Sequence, residues 1–290
     1  MGGHLKTFGI SVALLTPYDA DGAIDRDRFV QHANYVLQNG AKSVTLFGTT
    51  GEGASLGDDE RNAVMDAVLA SDVPAEKMIC GICANSVVGA AAQMTAGLDR
   101  GIEIFLVPPP FFFKGCSDDG LFNWYSDVLA GVGPRAQVIL YHIPQVTGVP
   151  LSLSLVRRLV EAFPDQIAGV KDSSGNWENA EQLLAANIVP ILVGDERLLH
   201  RAAQLGAAGS ICGMADLYPG RLKTLFETAT EDRALSEEVT RVVSGPVIPA
   251  LKHLIAKMHD APEWERVRAP LANLNEQEIA ALMATEESAA

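Results

Sequence analysis

Eight short apolar runs alternate with helical patterns along the chain, and this alternation limits the possible fold more than any other feature. The runs are rich in Val, Ile and Leu, which is typical of parallel strands buried on both faces. The predicted strands are Gly9–Leu15, Ser43–Phe47, Met78–Cys83, Ile102–Val107, Gln137–His142, Ile167–Lys171, Pro190–Val193 and Gly209–Cys212. Eight βα units in sequence predict an α/β fold, the (β/α)₈ TIM barrel.

The predicted helices lie between the strands and in a C-terminal tail. Those between or directly after strands are Asp25–Asn39, Asp58–Ala70, Ser86–Arg100, Leu121–Gly131, Leu153–Phe163, Asn176–Ala186 and Arg197–Leu205. The tail adds Arg221–Ala229, Glu231–Ser244, Ile248–Met258 and Glu276–Met283. We therefore expect a barrel over residues 1–220 and additional C-terminal helices over residues 221–290, packed on the barrel. A doubly wound sheet is the main structural alternative, but its dinucleotide-binding version needs a glycine fingerprint that we do not find.

Composition argues against several classes of partner. The chain has 22 Lys+Arg against 36 Asp+Glu, a net charge of −14, which disfavours nucleic-acid binding. Its longest uncharged segment, residues 136–156, contains prolines, a histidine and polar residues, so no membrane span is expected. The four cysteines are too few for a disulfide scaffold, and a reducing cytoplasm is the expected location.

One lysine has a position suited to catalysis. Active sites of βα barrels lie at the C-terminal ends of the strands, and Lys171 alone among the eight lysines ends an apolar strand. An amine in a closed barrel mouth loses hydration, which lowers the pKa of a lysine and frees it to attack a carbonyl. An ordinary solvated lysine at the start of a loop is equally compatible with this position.

Tyr141 lies at the C-terminal end of the fifth predicted strand, and its position has two interpretations. A tyrosine at a strand end can point into the barrel mouth and exchange protons with a reacting centre. It can equally be an aromatic core residue. The next residue, His142, alternates to the opposite face and is expected to pack against the helices.

A glycine-rich loop, Gly48-Thr49-Thr50-Gly51-Glu52-Gly53, follows the second predicted strand. It supplies small residues, hydroxyls and free N–H groups just before a predicted helix, and such a loop can bind a carboxylate or a phosphate. It is not a P-loop, because no Gly-Lys-Ser/Thr follows. A plain tight turn is the alternative.

Metal chemistry finds little support in the sequence. Cys80 and Cys83 have CxxC spacing, but residues three apart on a strand face opposite sides, so both sulfurs cannot easily reach one ion. The histidines are scattered. No metal and no cofactor are therefore expected.

Two motifs resemble the dihydrodipicolinate synthase / N-acetylneuraminate lyase family of class I aldolases. The first is Val44-Thr-Leu-Phe-Gly-Thr-Thr-Gly-Glu-Gly-Ala-Ser-Leu56, followed by Glu60. The second runs from Tyr141-His-Ile-Pro144 to Gly169-Val-Lys171-Asp-Ser173. The resemblance extends from Gly9 to about Leu274.

The resemblance implies a role for each candidate. Lys171 would form a Schiff base with pyruvate or another 2-keto acid, and Tyr141 would transfer protons. Thr49 and Thr50, with Gly48 beside them, would bind the keto-acid carboxylate and help relay protons. Substrate contacts are also implied for Gly194 and Asp195, at the variable end of the substrate, and for Ile211, in the pyruvate pocket. The family also implies no cofactor beyond the imine, and a homotetramer built as a dimer of dimers.

Three departures from the family pattern bear on the substrate. Val146 stands where dihydrodipicolinate synthases have an arginine for the carboxylate of the aldehyde partner. Phe112 stands where they have a tyrosine supplied across a subunit interface, and Gly89 replaces an acid of their feedback lysine site. These changes are closer to the family's sialic-acid lyases and 2-keto-3-deoxy sugar acid aldolases or dehydratases.

The sequence therefore predicts a Schiff-base lyase acting on pyruvate and a larger 2-keto acid, either a 2-keto-3-deoxy sugar acid or a sialic-acid-like compound. Aldol cleavage, condensation and dehydration all remain open. The first alternative is a 4-hydroxy-tetrahydrodipicolinate synthase with an altered site. A non-catalytic barrel that binds a keto acid is an alternative of another class. A metal-dependent class II aldolase would need clustered ligands that the sequence does not show.

Overall fold

Eight parallel strands close into a barrel in the order of the chain. The computed structural model describes residues 8–284. The strands are β1 Gly9–Ala13, β2 Ser43–Leu46, β3 Met78–Gly81, β4 Ile104–Val107, β5 Gln137–His142, β6 Ile167–Asp172, β7 Ile191–Val193 and β8 Gly209–Cys212. β1 pairs with β8, so the described barrel has no free edge. The predicted (β/α)₈ barrel with C-terminal helices is confirmed.

Helices surround the barrel and continue into the tail. They are α1 Arg26–Gln38, α2 Asp58–Leu69, α3 Val87–Leu98, α4 Asp118–Val132, α5 Pro144–Thr147, α6 Leu153–Ala162, α7 Trp177–Ala186, α8 Glu196–Gln204, α9 Pro219–Thr228, α10 Arg233–Val243, α11 Val247–His259 and α12 Glu276–Met283. Side-chain oxygens cap several helix starts, as at Asp25, Ser86 and Ser152. The short α5, which the sequence did not predict, begins at Pro144.

The helix α9 completes the ring around the barrel. It packs against α8 and β1, while α10 packs on α8, α11 and α12. A division of the chain after residue 220 would cut through α9, so the boundary between barrel and extension stays a prediction.

Some strands are shorter than the sequence predicted, and local hydrogen bonding gives the reason. β1 ends at Ala13 because the amide of Leu15 donates to the carboxylate of Asp216 at 3.1 Å instead of to a neighbouring strand. β2 ends at Leu46 because Phe47 has a left-handed backbone with φ of 59°. The apolar pattern continues past both ends, since these residues are buried although they have left the sheet.

The core has two parts. Inside the barrel, side chains such as Ile79, Leu106 and Ile139 form one cluster, which Tyr141 joins at the mouth. A larger cluster fills the space between the strands and the helices. The barrel interior is therefore filled below the mouth, and the mouth is the place where a substrate can enter.

No helix within residues 8–284 combines the length and the apolar character needed to cross a membrane.

Candidate active site

Lys171 and Tyr141 are neighbours at the mouth of the barrel. The register of β5 and β6 places Tyr141 opposite Lys171, so the two side chains extend from the same face. Lys171 is 5% exposed, and its Nζ lies 4.3 Å from the centroid of the Tyr141 ring. Both residues line one cavity of about 510 Å³. The ammonium and the phenol therefore face a common space large enough for a small acid.

The residue after β7, Gly194, has no side chain and so leaves space for the Lys171 side chain. A Cβ atom at Gly194 would lie 2.0 Å from Ser173 Oγ and 3.3 Å from Lys171 Cε. Asp172 points away from this space, where its carboxylate accepts from the Ser174 amide at 2.9 Å and from Asn179 Nδ2 at 2.9 Å. A side chain at position 194 would thus displace the Ser173 hydroxyl and crowd the lysine, and Asp172 fixes the chain that follows Lys171.

The threonine loop reaches the same site from β2. Its chain turns at Phe47 and Glu52, whose φ angles of 59° and 54° are left-handed. A Cβ atom at Gly53 would lie 1.9 Å from the Phe47 carbonyl oxygen, so the loop closes only with glycine there. Thr49 Oγ1 lies 3.3 Å from the Tyr141 hydroxyl, which links the loop to the tyrosine and through it to Lys171.

The helix predicted after this loop begins where the sequence placed it, at Asp58. Between the two, the left-handed Glu52 leads into a single 3₁₀ turn, Gly53–Ser55, which the sequence did not predict. The hydroxyls and amides of the loop itself are therefore the donors next to Lys171, and the N-terminus of α2 is not.

The main cavity brings together seven of the eight residues expected at the site. Thr49, Thr50, Tyr141, Lys171, Gly194, Asp195 and Ile211 all line it. Gly48 does not. It lines a second cavity of about 370 Å³, which also contacts Thr49 and Tyr141. The Gly48 carbonyl accepts from the Gly53 amide at 3.1 Å, so this glycine shapes the loop.

Charged side chains that the sequence did not single out lie farther along the main cavity. Arg197 donates to both carboxylate oxygens of Asp195, at 2.9 and 2.7 Å, and these two charges therefore compensate each other. Glu196 is buried, accepts from the Met214 amide at 2.9 Å, and has its pKa raised by that burial. All three follow β7 directly, so the strand-end rule could have selected Glu196 and Arg197 as well.

Of the departures from the family pattern, Val146 lies at the cavities. Val146 is 59% exposed and borders both of them without offering a charge. The ammonium of Lys114, a nearby cation in the sequence, donates to the carbonyls of Phe111 and Thr147. The Phe112 side chain is 74% exposed in the described chain.

A buried ion pair attaches the threonine loop to α11. Lys252 donates to Glu52, both side chains are fully buried, and the Lys252 ammonium also donates to the carbonyl of Arg266 at 2.7 Å. The other Glu52 oxygen accepts from the Arg268 amide at 3.2 Å. Because α11 contributes Ile248 and Leu251 to the main cavity, this pair fixes one wall of the site to the loop that carries Thr49.

We expect Lys252→Met to destabilise the protein by about 3–5 kcal/mol, because it leaves the Glu52 carboxylate buried without its cation. Urea denaturation measures the loss. The matched control is Lys223→Met, which removes an exposed ion pair to Glu227 and should cost about 0.3–0.5 kcal/mol. A Lys252→Met protein as stable as the control would contradict a structural role for the buried pair.

Within the described part of the chain, the cysteines and histidines do not gather into a metal site. Cys80 Sγ contacts Met65 Sδ at 3.5 Å and Cys83 Sγ contacts the Phe47 carbonyl at 3.6 Å, so the two thiols point to different neighbours. Between residues 8 and 284, no three His, Cys, Asp or Glu side chains are close enough to hold a metal ion. His142 accepts from the Leu151 amide at 3.0 Å through Nδ1, on the helix side that strand alternation predicted.

Comparison with known proteins gives consistent results. The chain matches the dihydrodipicolinate synthetase family over residues 6–288. It is 32% identical to a protein of Chloroflexus aurantiacus described as an uncharacterized DapA-like lyase, with 96% of each chain covered. It is also 32% identical to the 4-hydroxy-tetrahydrodipicolinate synthase of Corynebacterium urealyticum, covering 74% of this chain and 70% of that protein. Among solved structures, the dihydrodipicolinate synthase of Agrobacterium tumefaciens superposes with a TM-score of 0.92 at 40% identity, covering 95% and 97% of the two chains.

Proposed function

The chain belongs to the dihydrodipicolinate synthetase family, and from this premise we propose that Lys171 is the residue on which its lyase reaction takes place. The enzyme is a class I aldolase-type lyase acting on pyruvate and a keto acid. The observation that carries the proposal is the contact of the buried Lys171 ammonium with Tyr141, whose hydroxyl meets Thr49.

The chemistry follows from these contacts. The neutral Lys171 amine attacks the keto carbon, the carbonyl oxygen leaves as water, and the resulting iminium accepts the electron pair of the bond that breaks next to it. The same electrons form the new bond when the enamine attacks an aldehyde. Tyr141 and Thr49 move the protons, and Thr50 with the loop amides binds the carboxylate. Ile211 is an apolar residue of the cavity wall.

We further propose that the substrate carries several hydroxyl groups on the carbons remote from the keto acid. The main cavity beyond Lys171 offers acceptors, from Asp195 and Glu196, and donors, from Arg197. Hydroxyls both donate and accept, so they suit a wall that mixes the two. Because Asp195 compensates the charge of Arg197, the wall lacks a free cation for a second carboxylate. A 2-keto-3-deoxy sugar acid or a sialic-acid-like compound has this chemistry.

The test is a screen for pyruvate release from a panel of 2-keto-3-deoxy sugar acids and sialic acids, followed with lactate dehydrogenase and NADH. A parallel assay for the unsaturated or rearranged keto acid detects dehydration without cleavage. Turnover of one panel member supports the proposal. Binding without any turnover would instead indicate a non-catalytic keto-acid-binding barrel.

We expect the protein to be a poor 4-hydroxy-tetrahydrodipicolinate synthase. Val146 cannot pair with a carboxylate, and a missing charge-assisted contact costs about 1.5–3 kcal/mol of binding, which is roughly one to two decades. Phe112 also lacks the hydroxyl that the synthases' tyrosine supplies at this position, and the loss of a proton-relay group commonly costs about 10²-fold or more. The Lys114 ammonium already donates to two backbone carbonyls, so it is a weak substitute for the missing arginine.

The measurement compares kcat/KM for pyruvate plus aspartate semialdehyde with kcat/KM for the best substrate of the screen. Val146→Arg is the matched variant. It should raise kcat/KM for the semialdehyde condensation and should not raise kcat/KM for the best substrate of the screen. The names of the Corynebacterium and Agrobacterium relatives favour the synthase as second candidate. If the unmodified enzyme condenses the semialdehyde faster than it cleaves any panel member, that candidate replaces our proposal.

We propose that the reaction uses no metal and no cofactor, because the Lys171 iminium itself provides the electron sink. Activity should therefore survive dialysis against EDTA unchanged. Activity that is lost in EDTA and restored by zinc would remove the imine mechanism.

We propose a homotetramer, built as a dimer of dimers, in the cytoplasm. Phe112 and Phe113 are 74% and 72% exposed and pack edge to face at 5.2 Å, and a pair of rings this exposed favours burial against a second copy. Four unpaired cysteines suit a reducing compartment. Neither nucleic acid nor a membrane is expected as a partner. Analytical ultracentrifugation of the full chain measures the oligomeric state.

A further inference from the structure

Phe47 holds an unfavourable backbone conformation two residues before Thr49. Its φ of 59° is left-handed, which side chains with a Cβ atom adopt at a cost. The residue is fully buried between the end of β2 and the threonine loop. Since Thr49 meets Tyr141 only if the chain turns here, whatever keeps Phe47 in this conformation also sets the position of the Thr49 hydroxyl.

The carbonyl side of Phe47 is enclosed by neighbouring backbone. A Cβ atom at Gly81 would lie 2.5 Å from the Phe47 oxygen and 2.9 Å from the Gly48 nitrogen, so the end of β3 lies directly against this peptide. The thiol of Cys83 donates to the same oxygen at 3.6 Å. The peptide between Phe47 and Gly48 is therefore in contact with β3 on one side and with Gly53 on the other.

Arg61 contacts both parts of this arrangement from α2. Its guanidinium carbon lies 4.4 Å from the centroid of the Phe47 ring, and its Nη2 donates to the Gly81 carbonyl. Arg61 is 3% exposed, and among residues 8–284 no carboxylate forms an ion pair with it. Its Nη1 finds no hydrogen-bond partner within the described chain. A buried cation without a carboxylate is unfavourable for stability, so stability alone does not account for an arginine at this position.

We propose that Arg61 is a positioning residue for the proposed lyase reaction. By contacting both the Phe47 ring and the end of β3, Arg61 keeps the Phe47 backbone left-handed. This conformation in turn holds Thr49 next to the Tyr141 hydroxyl. The inference rests on the proposed function, in which Thr49 and Tyr141 move protons. Arg61 does not touch the substrate, because it does not line the main cavity.

The test substitutes Arg61→Met, which keeps a long apolar stem and removes the planar cation. We expect a folded protein whose kcat for the best panel substrate falls about 10–100-fold, part of the 10²–10⁴-fold that a positioned acid–base group contributes. Trapping of pyruvate by borohydride on Lys171 should continue at a similar extent. Arg61→Lys, which keeps the charge but loses the planar stacking, should fall between the wild type and Arg61→Met.

A double-mutant cycle separates positioning from a general effect on stability. Arg61→Met is combined with Thr49→Val, and the loss in kcat is compared in the two backgrounds. If Arg61 acts through Thr49, the second substitution adds little to the first. The matched control is Arg158→Met, whose guanidinium lies 4.6 Å from the Phe122 ring, outside the residues that line either cavity. This control should leave kcat unchanged.

Two outcomes overturn the inference. One is a kcat of Arg61→Met within about twofold of the wild type. The other is that Arg61→Met lowers kcat by the same factor in the Thr49→Val background as in the wild type. If Arg61→Met does not fold, Arg61→Lys enters the same cycle and is judged by the same criteria. Failure of the proposed function is distinguishable, because the unmodified enzyme would then neither trap pyruvate on Lys171 nor release it from any panel substrate.

Discussion

Lys171→Met should lower the turnover of every 2-keto acid substrate on the order of 10⁴-fold or more, because it removes the amine on which the proposed covalent intermediate forms. The variant should remain folded. Lys171 makes its described contact with the Tyr141 ring, and methionine of similar length packs well against an aromatic ring. Steady-state kinetics on the best panel substrate measures the loss.

Chemical trapping identifies the residue independently of turnover. Incubation with pyruvate and borohydride should reduce the imine and leave one modified lysine, in the peptide that carries Lys171. The control is Lys223→Met, which removes an exposed lysine of α9 and should neither slow the enzyme nor prevent the label. A label on another lysine, or full activity of Lys171→Met, would mean that the reaction centre lies elsewhere.

The barrel was predictable because its strands are buried on both faces. A near-continuous apolar run marks such a strand, and the eight runs appear in the order in which the strands pair. The strand ends were less predictable. At Phe47 the apolar pattern continues although the backbone leaves the sheet, and a left-handed φ at a phenylalanine leaves no mark in composition.

The site was predictable where strand ends alone determine it. Lys171 and Tyr141 lie next to the C-terminal residues of paired strands, so a rule about barrel mouths was enough to place them together. The helix after the threonine loop was predicted to begin at Asp58 and does so, but the 3₁₀ turn that follows Glu52 was not predicted. Lys252 escaped notice because its partner Glu52 lies far away in the sequence. Arg61 escaped notice because its contacts depend on how α2 packs against Phe47 and the end of β3.

The C-terminal helices belong to the site as much as to the fold. Sequence patterns described them only as an extension, yet α11 lines the main cavity with Ile248 and Leu251. Its Lys252 also pairs with the buried Glu52 of the threonine loop. The loop that carries Thr49 is thus supported from α2 by Arg61 and from α11 by Lys252. Substitutions of these two residues are therefore expected to affect the reaction through the position of this loop.

Tyr141→Phe is expected to lower kcat by about 10²–10⁴-fold, the usual contribution of a positioned acid–base group. The ring that packs against the Lys171 ammonium remains, and only the hydroxyl that meets Thr49 is lost. Imine formation on pyruvate should therefore change little, while the steps that break or form the carbon–carbon or carbon–oxygen bond slow down. Rapid-quench trapping with borohydride measures imine formation, and steady-state kinetics measures kcat.

The matched control removes a different buried hydroxyl. Tyr125 donates to the Val107 carbonyl at 3.2 Å in the core and does not line either cavity, so Tyr125→Phe should keep kcat and lose about 1 kcal/mol of stability. A general effect of losing a tyrosine hydroxyl would appear in both variants. If Tyr141→Phe retains nearly the wild-type kcat, the ring serves packing alone, and Thr49 must move its protons through a group other than Tyr141.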